Sequence, residues 1–229
     1  MHYETDKNNH GLPFNPFKSC VVPRPIAWIS TLSREGCANL APFSQFNIVG
    51  WDPPYIMFAA SAHPVGARRK DSVCNVQETG EFVFNMATYE LRDAVNKTAL
   101  YVDTEVDEFD LAKLEKAPSL YVKPPRVAAS PVHFECVHQS TLVLPGNSAE
   151  TAFHVVIGKV IAIHIKDEFI TKDGKVDIAR IRPLARLGYL DYTSVESIFT
   201  MPVETYGLAD AFKRGMGGES KGKIAAAAE

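Results

Sequence analysis

The sequence predicts a mainly β protein with short helices, built as a single barrel domain. Three observations point there. Apolar runs rich in β-branched and aromatic residues recur along the chain, polar turns separate them, and the stretches of helical spacing between them are short. No internal repeat or interdomain linker breaks the series, so we expect an arm over residues 1–20, the barrel over 21–200 and a loose C-terminal extension over 201–229.

The first twenty residues are polar and then rich in proline and phenylalanine, a composition that suits an arm packed on the body or on a partner subunit. Pro23 and Pro25 enforce an extended entry. Residues 26–32 and 37–41 carry strand-type side chains on either side of Ser33-Arg34-Glu35-Gly36 and read as a hairpin. After Pro42, residues 43–49 alternate as one continuous strand that sets small polar groups beside aromatic rings. Trp51-Asp52-Pro53-Pro54 ends that run, and 55–60 is a buried strand. Residues 72–79 read as a helix with Val73 and Val76 inward and Gly80 as its stop.

Residues 81–86 form the next strand, and Thr88 is placed to cap a helix over 89–97 with Leu91 and Val95 on one face. The acids Asp103, Glu105, Asp107, Glu108 and Asp110 read as a solvated face leading into a helix over 111–116, and we assign them no chemistry. A rigid connection over 118–125 precedes two long strands, 132–144 and 151–165, joined by Pro145-Gly146-Asn147. Gly158 interrupts the second. His154 and His164 share a face if that strand is regular and take opposite faces if one residue is inserted. Lys172-Asp173-Gly174-Lys175 is a turn, and 182–189 closes the body.

Composition narrows the class. With 229 residues, 46% hydrophobic and 22% charged, the chain is globular rather than disordered. A net charge of -3 gives no general attraction to nucleic acid or to an anionic membrane, so neither is expected as a partner. No apolar stretch approaches the roughly 20 residues of a membrane helix, and residues 1–6 lack the order of a signal peptide, so we expect a cytoplasmic protein. Cys20, Cys37, Cys74 and Cys136 are widely spaced without C-x-x-C, which argues against a zinc site or a redox dithiol; they read as small core residues, and no metal is expected.

The stretch from Ser61 to Ser72 carries the most chemistry. It leaves an apolar strand, passes Pro64 and Gly66, and delivers Arg68, Arg69 and Lys70 to the start of a helix at Asp71 or Ser72. A helix start has N–H groups without intrahelical partners and the positive end of the macrodipole, so added cations make a phosphate seat. An ordinary solvated basic turn remains the other reading, since neither a Walker A element nor a G-x-G-x-x-G fingerprint is present.

The ordered series Asn15-Pro16-Phe17-Lys18, Pro23-Arg24-Pro25-Ile26-Ala27-Trp28-Ile29-Ser30-Thr31, Asn39-Leu40-Ala41-Pro42-Phe43-Ser44-Gln45-Phe46-Asn47, Lys70-Asp71-Ser72, Thr79-Gly80-Glu81-Phe82-Val83-Phe84-Asn85 and Arg182-Pro183-Leu184-Ala185-Arg186-Leu187-Gly188 resembles the flavin reductase-like family of FMN-binding split-barrel proteins. The resemblance implies a six-stranded split barrel, a homodimer, and FMN near the subunit interface. It implies Ser30 and Thr31 at the flavin, Ser44, Phe46 and Asn47 along the isoalloxazine and ribityl chain, and Ser61, Arg69, Lys70, Asp71 and Ser72 at the phosphate. Asp71 repels a phosphate, so its expected task is to cap the helix or orient Lys70 or Arg69. Reductase relatives place a histidine just before the strand matching 151–165, where Phe153-His154 stands here.

The activity implied is NAD(P)H-dependent flavin reduction, with hydride passed to flavin N5 and electrons passed on to a second flavin or acceptor. No catalytic side chain is expected, because the cofactor carries that chemistry. The alternative is an FMN-holding electron carrier of flavoredoxin type, reduced by a protein partner and lacking a nicotinamide site. A monooxygenase or redox protein is the partner these readings call for.

Overall fold

The computed structural model describes residues 1–62 and 68–201. Residues 63–67 of the basic loop and the expected C-terminal extension from 202 onward lie outside the described residues. The body spans Met1–Glu196, and a second unit begins at Ser197; its residues 197–201 carry neither helix nor strand.

In chain order the elements are β1 (Arg24–Pro25), β2 (Ala27–Leu32), β3 (Ala38–Phe43), β4 (Phe46–Trp51), β5 (Pro54–Ser61), α1 (Asp71–Thr79), β6 (Glu81–Met86), α2 (Arg92–Lys97), α3 (Glu108–Leu111), β7 (Lys116–Ala117), β8 (Arg126–Val127), β9 (Val132–Leu144), β10 (Phe153–Ile165), α4 (Ile178–Ile181), β11 (Leu184–Gly188) and β12 (Asp191–Ser194). Seven strands form one antiparallel sheet in the order β3-β2-β6-β9-β10-β5-β4; β1, β11 and β12 form a second, and β7 pairs β8. A mainly β body with short helices is thus the architecture found.

Alternation along β2 explains how the layers join. Ala27 and Ile29 face one core with Phe58, Phe82, Val73 and Val76, whereas Trp28 faces another with Leu40, Val95, Phe109 and Leu184. Five consecutive β2 residues are therefore buried, which is why the segment reads as a continuous apolar run. Helix α1 lies against β2 through Val73 and Val76, the two positions its spacing places inward.

The structure corrects several local expectations. Residues 43–49 are not one strand: the chain turns at Ser44-Gln45, and the Gln45 carbonyl accepts from the Ala59 N–H at 2.8 Å, pinning the corner to β5. The helix expected over 89–97 starts only at Arg92, because Thr88 bridges Pro183 and the Tyr89 N–H donates to the Arg182 carbonyl at 2.9 Å. The helix expected over 111–116 lies earlier, at α3, since the Asp107 side chain caps it by accepting from the Phe109 N–H at 2.9 Å. Lys113, at a φ of 56°, follows its end. Of the four free cysteines only Cys136 is buried; Cys20 is exposed and the other two are half-buried.

The irregularity expected at Gly158 has two parts. Between Ile157 and Gly158 the extra residue is on β9, and between Val160 and Ala162 it is on β10. Gly158 itself is required by close packing: a Cβ there would meet the Phe82 ring at 2.3 Å. His154 shares its strand face with the core residue Val156, whereas His164 lies opposite His133, two positions from Glu135 on the outer face. The inserted residue on β10 thus puts the two histidines on opposite faces. Among the described residues no helix is long and apolar enough to cross a membrane.

Candidate functional site

The start of α1 opens on a cavity of about 400 Å³, bounded by the β3–β4 corner, the end of β5 and residues 98–102. Ser44, Ser61, Lys70, Asp71 and Ser72 all line it, so five of the ten residues singled out above meet there. Lys70 occupies the N-cap position without a side-chain cap bond, which leaves the first-turn N–H groups of Asp71 and Ser72 without intrahelical partners. Its ammonium sits 3.8 Å above the Tyr101 ring. Burial lowers its pKa from the ordinary lysine value, against the opposing pull of Asp71.

Asp71 engages neither Lys70 nor Arg69 by hydrogen bond; its Oδ1 accepts from Arg68 Nη1 at 2.7 Å and from the Thr104 hydroxyl at 3.3 Å. Arg68 also reaches the Val102 carbonyl, so this ion pair ties the entry of α1 to the segment that closes the cavity. Arg69 instead bonds Gln77 along the helix.

The other predicted residues stand apart from the cavity wall. Ser30 is fully buried, donating to the Pro125 carbonyl at 2.5 Å and accepting from Asn85. Phe46 stacks on Phe84 at a centroid distance of 4.9 Å, and Asn47 is exposed with its side chain turned onto the Ile48 N–H. Thr31 lies one layer behind the seat, opposite Asn39 in the β2–β3 ladder.

That second layer is a polar network which sequence reasoning missed. The Glu108 carboxylate, 5% exposed, accepts from the Asn39 amide at 2.8 and 3.0 Å and from the Leu40 N–H at 2.9 Å. Asn39 Oδ1 in turn accepts from the Ser72 hydroxyl at 2.7 Å and from Thr31 at 3.3 Å, while Asn75 donates to Thr31 at 3.0 Å. Burial pushes the Glu108 carboxyl up from its ordinary range, with the Leu40 N–H and Asn39 pulling the other way. Glu108 and Asn39 both line the cavity, so the solvated role expected for the acidic run fails at this residue.

Lys18 adds a second cation, beside Lys70, to the wall from the N-terminal segment. Its place is fixed by Arg24, whose guanidinium donates to the Lys18 and Val21 carbonyls, and by Gly188, where a Cβ would stand 2.2 Å from Ser19 Oγ. Its motif, Asn15-Pro16-Phe17-Lys18, was visible in the sequence; its reach to the cavity was not. His154 lies opposite Ala60 on β5, and burial and Arg69 lower its pKa. No group of three metal-ligating side chains occurs among the described residues.

Known proteins share the family and the fold of this chain. The profile of the family described as Flavin reductase like domain matches residues 19–180. An uncharacterised protein of Aquifex aeolicus is 37% identical over 168 residues, 73% of this chain and 82% of the relative. Nitrilotriacetate monooxygenase component B from Bacillus cereus superposes with a TM-score of 0.80 at 27% identity, over 88% of this chain and 98% of that one. A Shewanella frigidimarina protein with a split barrel domain superposes with a TM-score of 0.75 at 20% identity, over 89% of this chain and all (100%) of that one.

Proposed function

This chain belongs to the flavin reductase-like family and has its split-barrel fold, and from that premise we propose that it is an FMN-binding oxidoreductase that accepts hydride from NAD(P)H and passes electrons to a second flavin or another acceptor. The observation that carries the reading is the Lys70-Asp71-Ser72 helix start opening on the cavity of about 400 Å³.

The residues present fit the cofactor. The cavity falls in the size range of small-ligand sites. Its helix start offers free N–H groups and an ammonium to a phosphate, and its other wall offers Ala41, Phe43 and Ala59 with a few polar groups, Ser44 and Ser61 among them, to a flat ring. Bound FMN would supply the hydride acceptor and the redox centre. Lys70 and the first-turn N–H groups hold the phosphate end, Ser44 and Ser61 orient the remainder, and Asp71 keeps Arg68 and the 102–104 segment in place.

We further take the protein to be a cytoplasmic homodimer. Exposed Ile48, Val49 and Trp51 support the dimer, and four free thiols suit a reducing compartment. Likeness to a monooxygenase component supports a monooxygenase as the acceptor's user.

The test is a visible spectrum of the purified protein, followed by anaerobic addition of NADH and then NADPH. Yellow protein that bleaches is the expected result. Yellow protein that bleaches with neither, yet is reduced by a redox protein, would replace the reductase with an electron carrier. Protein that is colourless and takes up no FMN would overturn the flavin reading.

A further inference from the structure

The hydrogen bonds behind the seat have a direction, and the direction is set by one residue. Both Glu108 oxygens face N–H donors: the Asn39 amide at 2.8 and 3.0 Å and the Leu40 N–H at 2.9 Å. An ionised carboxylate only accepts, so the Asn39 amide must present its nitrogen to Glu108 and its oxygen to the opposite side. There Thr31 already accepts from Asn75 and so gives its own proton to Asn39, and the Ser72 hydroxyl does the same at 2.7 Å. The Ser72 proton therefore points into the protein, and what its oxygen offers the cavity is lone pairs.

A phosphate meeting this wall finds an acceptor at Ser72 and a buried negative charge at Glu108, beside the favourable Lys70 ammonium and helix N–H groups. Both features oppose an anion, and they share one cause. We propose that Glu108 tunes the seat to hold a phosphate loosely, so that FMN exchanges with solution: its carboxylate sets a negative charge in the wall and, through Asn39, turns the Ser72 proton away from the ligand. Glu108 acts here as a positioning residue, and the inference rests on reading the cavity as the FMN site.

Replacing the carboxylate reverses both effects. In Glu108→Gln the new amide keeps its oxygen on the Leu40 N–H and sets its nitrogen against the Asn39 amide; rotation of Asn39 relieves that conflict, brings its nitrogen to Ser72 and frees the hydroxyl proton for the cavity. Equilibrium titration of the oxidised protein with FMN and with riboflavin reads this without turnover. The wild-type protein should favour FMN. Glu108→Gln should bind FMN about tenfold more tightly while riboflavin moves less than about threefold. Ser72→Ala should stay within about threefold of wild type for FMN, because its proton is not given to the ligand, and the double variant should keep only part of the gain.

Two results would overturn the proposal: Glu108→Gln that is folded by circular dichroism yet binds FMN no better than wild type, or Ser72→Ala that loses tenfold or more. Should Glu108→Gln not fold, Ser72→Ala decides alone. A wild-type protein indifferent to the phosphate would remove the underlying FMN reading instead.

Discussion

Lys70 is the residue on which the anion seat depends most directly. Its ammonium is half-buried over Tyr101 at the mouth of α1, already partly stripped of water, so an anion reaching it gains a charge-assisted bond at little further desolvation cost. Lys70→Ala should weaken FMN binding by about 1.5–3 kcal/mol and riboflavin binding much less; equal losses for the two flavins in a binding titration would remove the phosphate assignment. This residue was legible in the sequence because three cations, a glycine and a helix start fall within twelve positions. Asn39 and Glu108 were not, since they stand 69 residues apart and meet only in the fold. Within the acidic run the sequence has nothing to separate Asp107, which caps α3, Glu108, which is buried, and Asp110, which is largely exposed. The direction of the Ser72 hydroxyl is invisible in residue type alone.

Among elements, the long strands and α1 could be read because apolar runs and helical spacing are written locally in them, while α2 was displaced by contacts remote in sequence and α3 by its local Asp107 cap. The segment 118–127 shows what such contacts do. It anchors itself in the core through Val122 and Val127, and buried polar side chains of β9 tie down its backbone. Glu135 accepts the N–H groups of Leu120, Tyr121 and Val122 at 2.6–3.1 Å and pairs with His164 at 2.6 Å, and His133 Nε2 donates to the Val127 carbonyl at 2.8 Å. Burial lowers the His133 pKa to about 4, below the roughly 6.5 of an unfolded histidine. Between those values the unfolded chain binds the extra proton, so stability must fall as pH drops from about 6.5 to about 4, by roughly 3 kcal/mol from this group. Three N–H donors and His164 overcome burial and hold the Glu135 carboxyl below its ordinary value, so its contribution is full near neutral pH and is lost as pH falls past the unfolded carboxylate value of about 4.3, steepening the decline at the acid end of that window. Thermal melts from pH 7 to 4 should slope downward for the wild type and be flatter for His133→Gln; parallel slopes would show that another group titrates.

For the molecule as a whole, a β-barrel with short helices follows from alternation and turn chemistry and its split-barrel form from the family resemblance, whereas the assembly follows from neither, because an apolar residue that meets a partner looks in sequence like one that meets the core. Strand β4 ends the seven-strand order, and three of its six residues are large, apolar and half or more exposed in the single chain: Ile48 at 51%, Val49 at 55% and Trp51 at 83%. A sheet edge of that composition is a pairing surface unless something covers it, and the homodimer we propose supplies the cover. The chain offers its own probe. It has two tryptophans, and Trp28 is fully buried between β2 and α2, so quenchable indole fluorescence reports Trp51 alone. At micromolar concentration sedimentation should give twice the mass of one chain, and acrylamide should quench the emission weakly. Trp51→Glu should sediment as a monomer, since a buried unpaired carboxylate at a dimer contact is strongly unfavourable. A wild-type monomer with freely quenched Trp51 would leave β4 a bare edge and remove the dimer. A dimer in which Trp51 remains freely quenched would move the contact to another face.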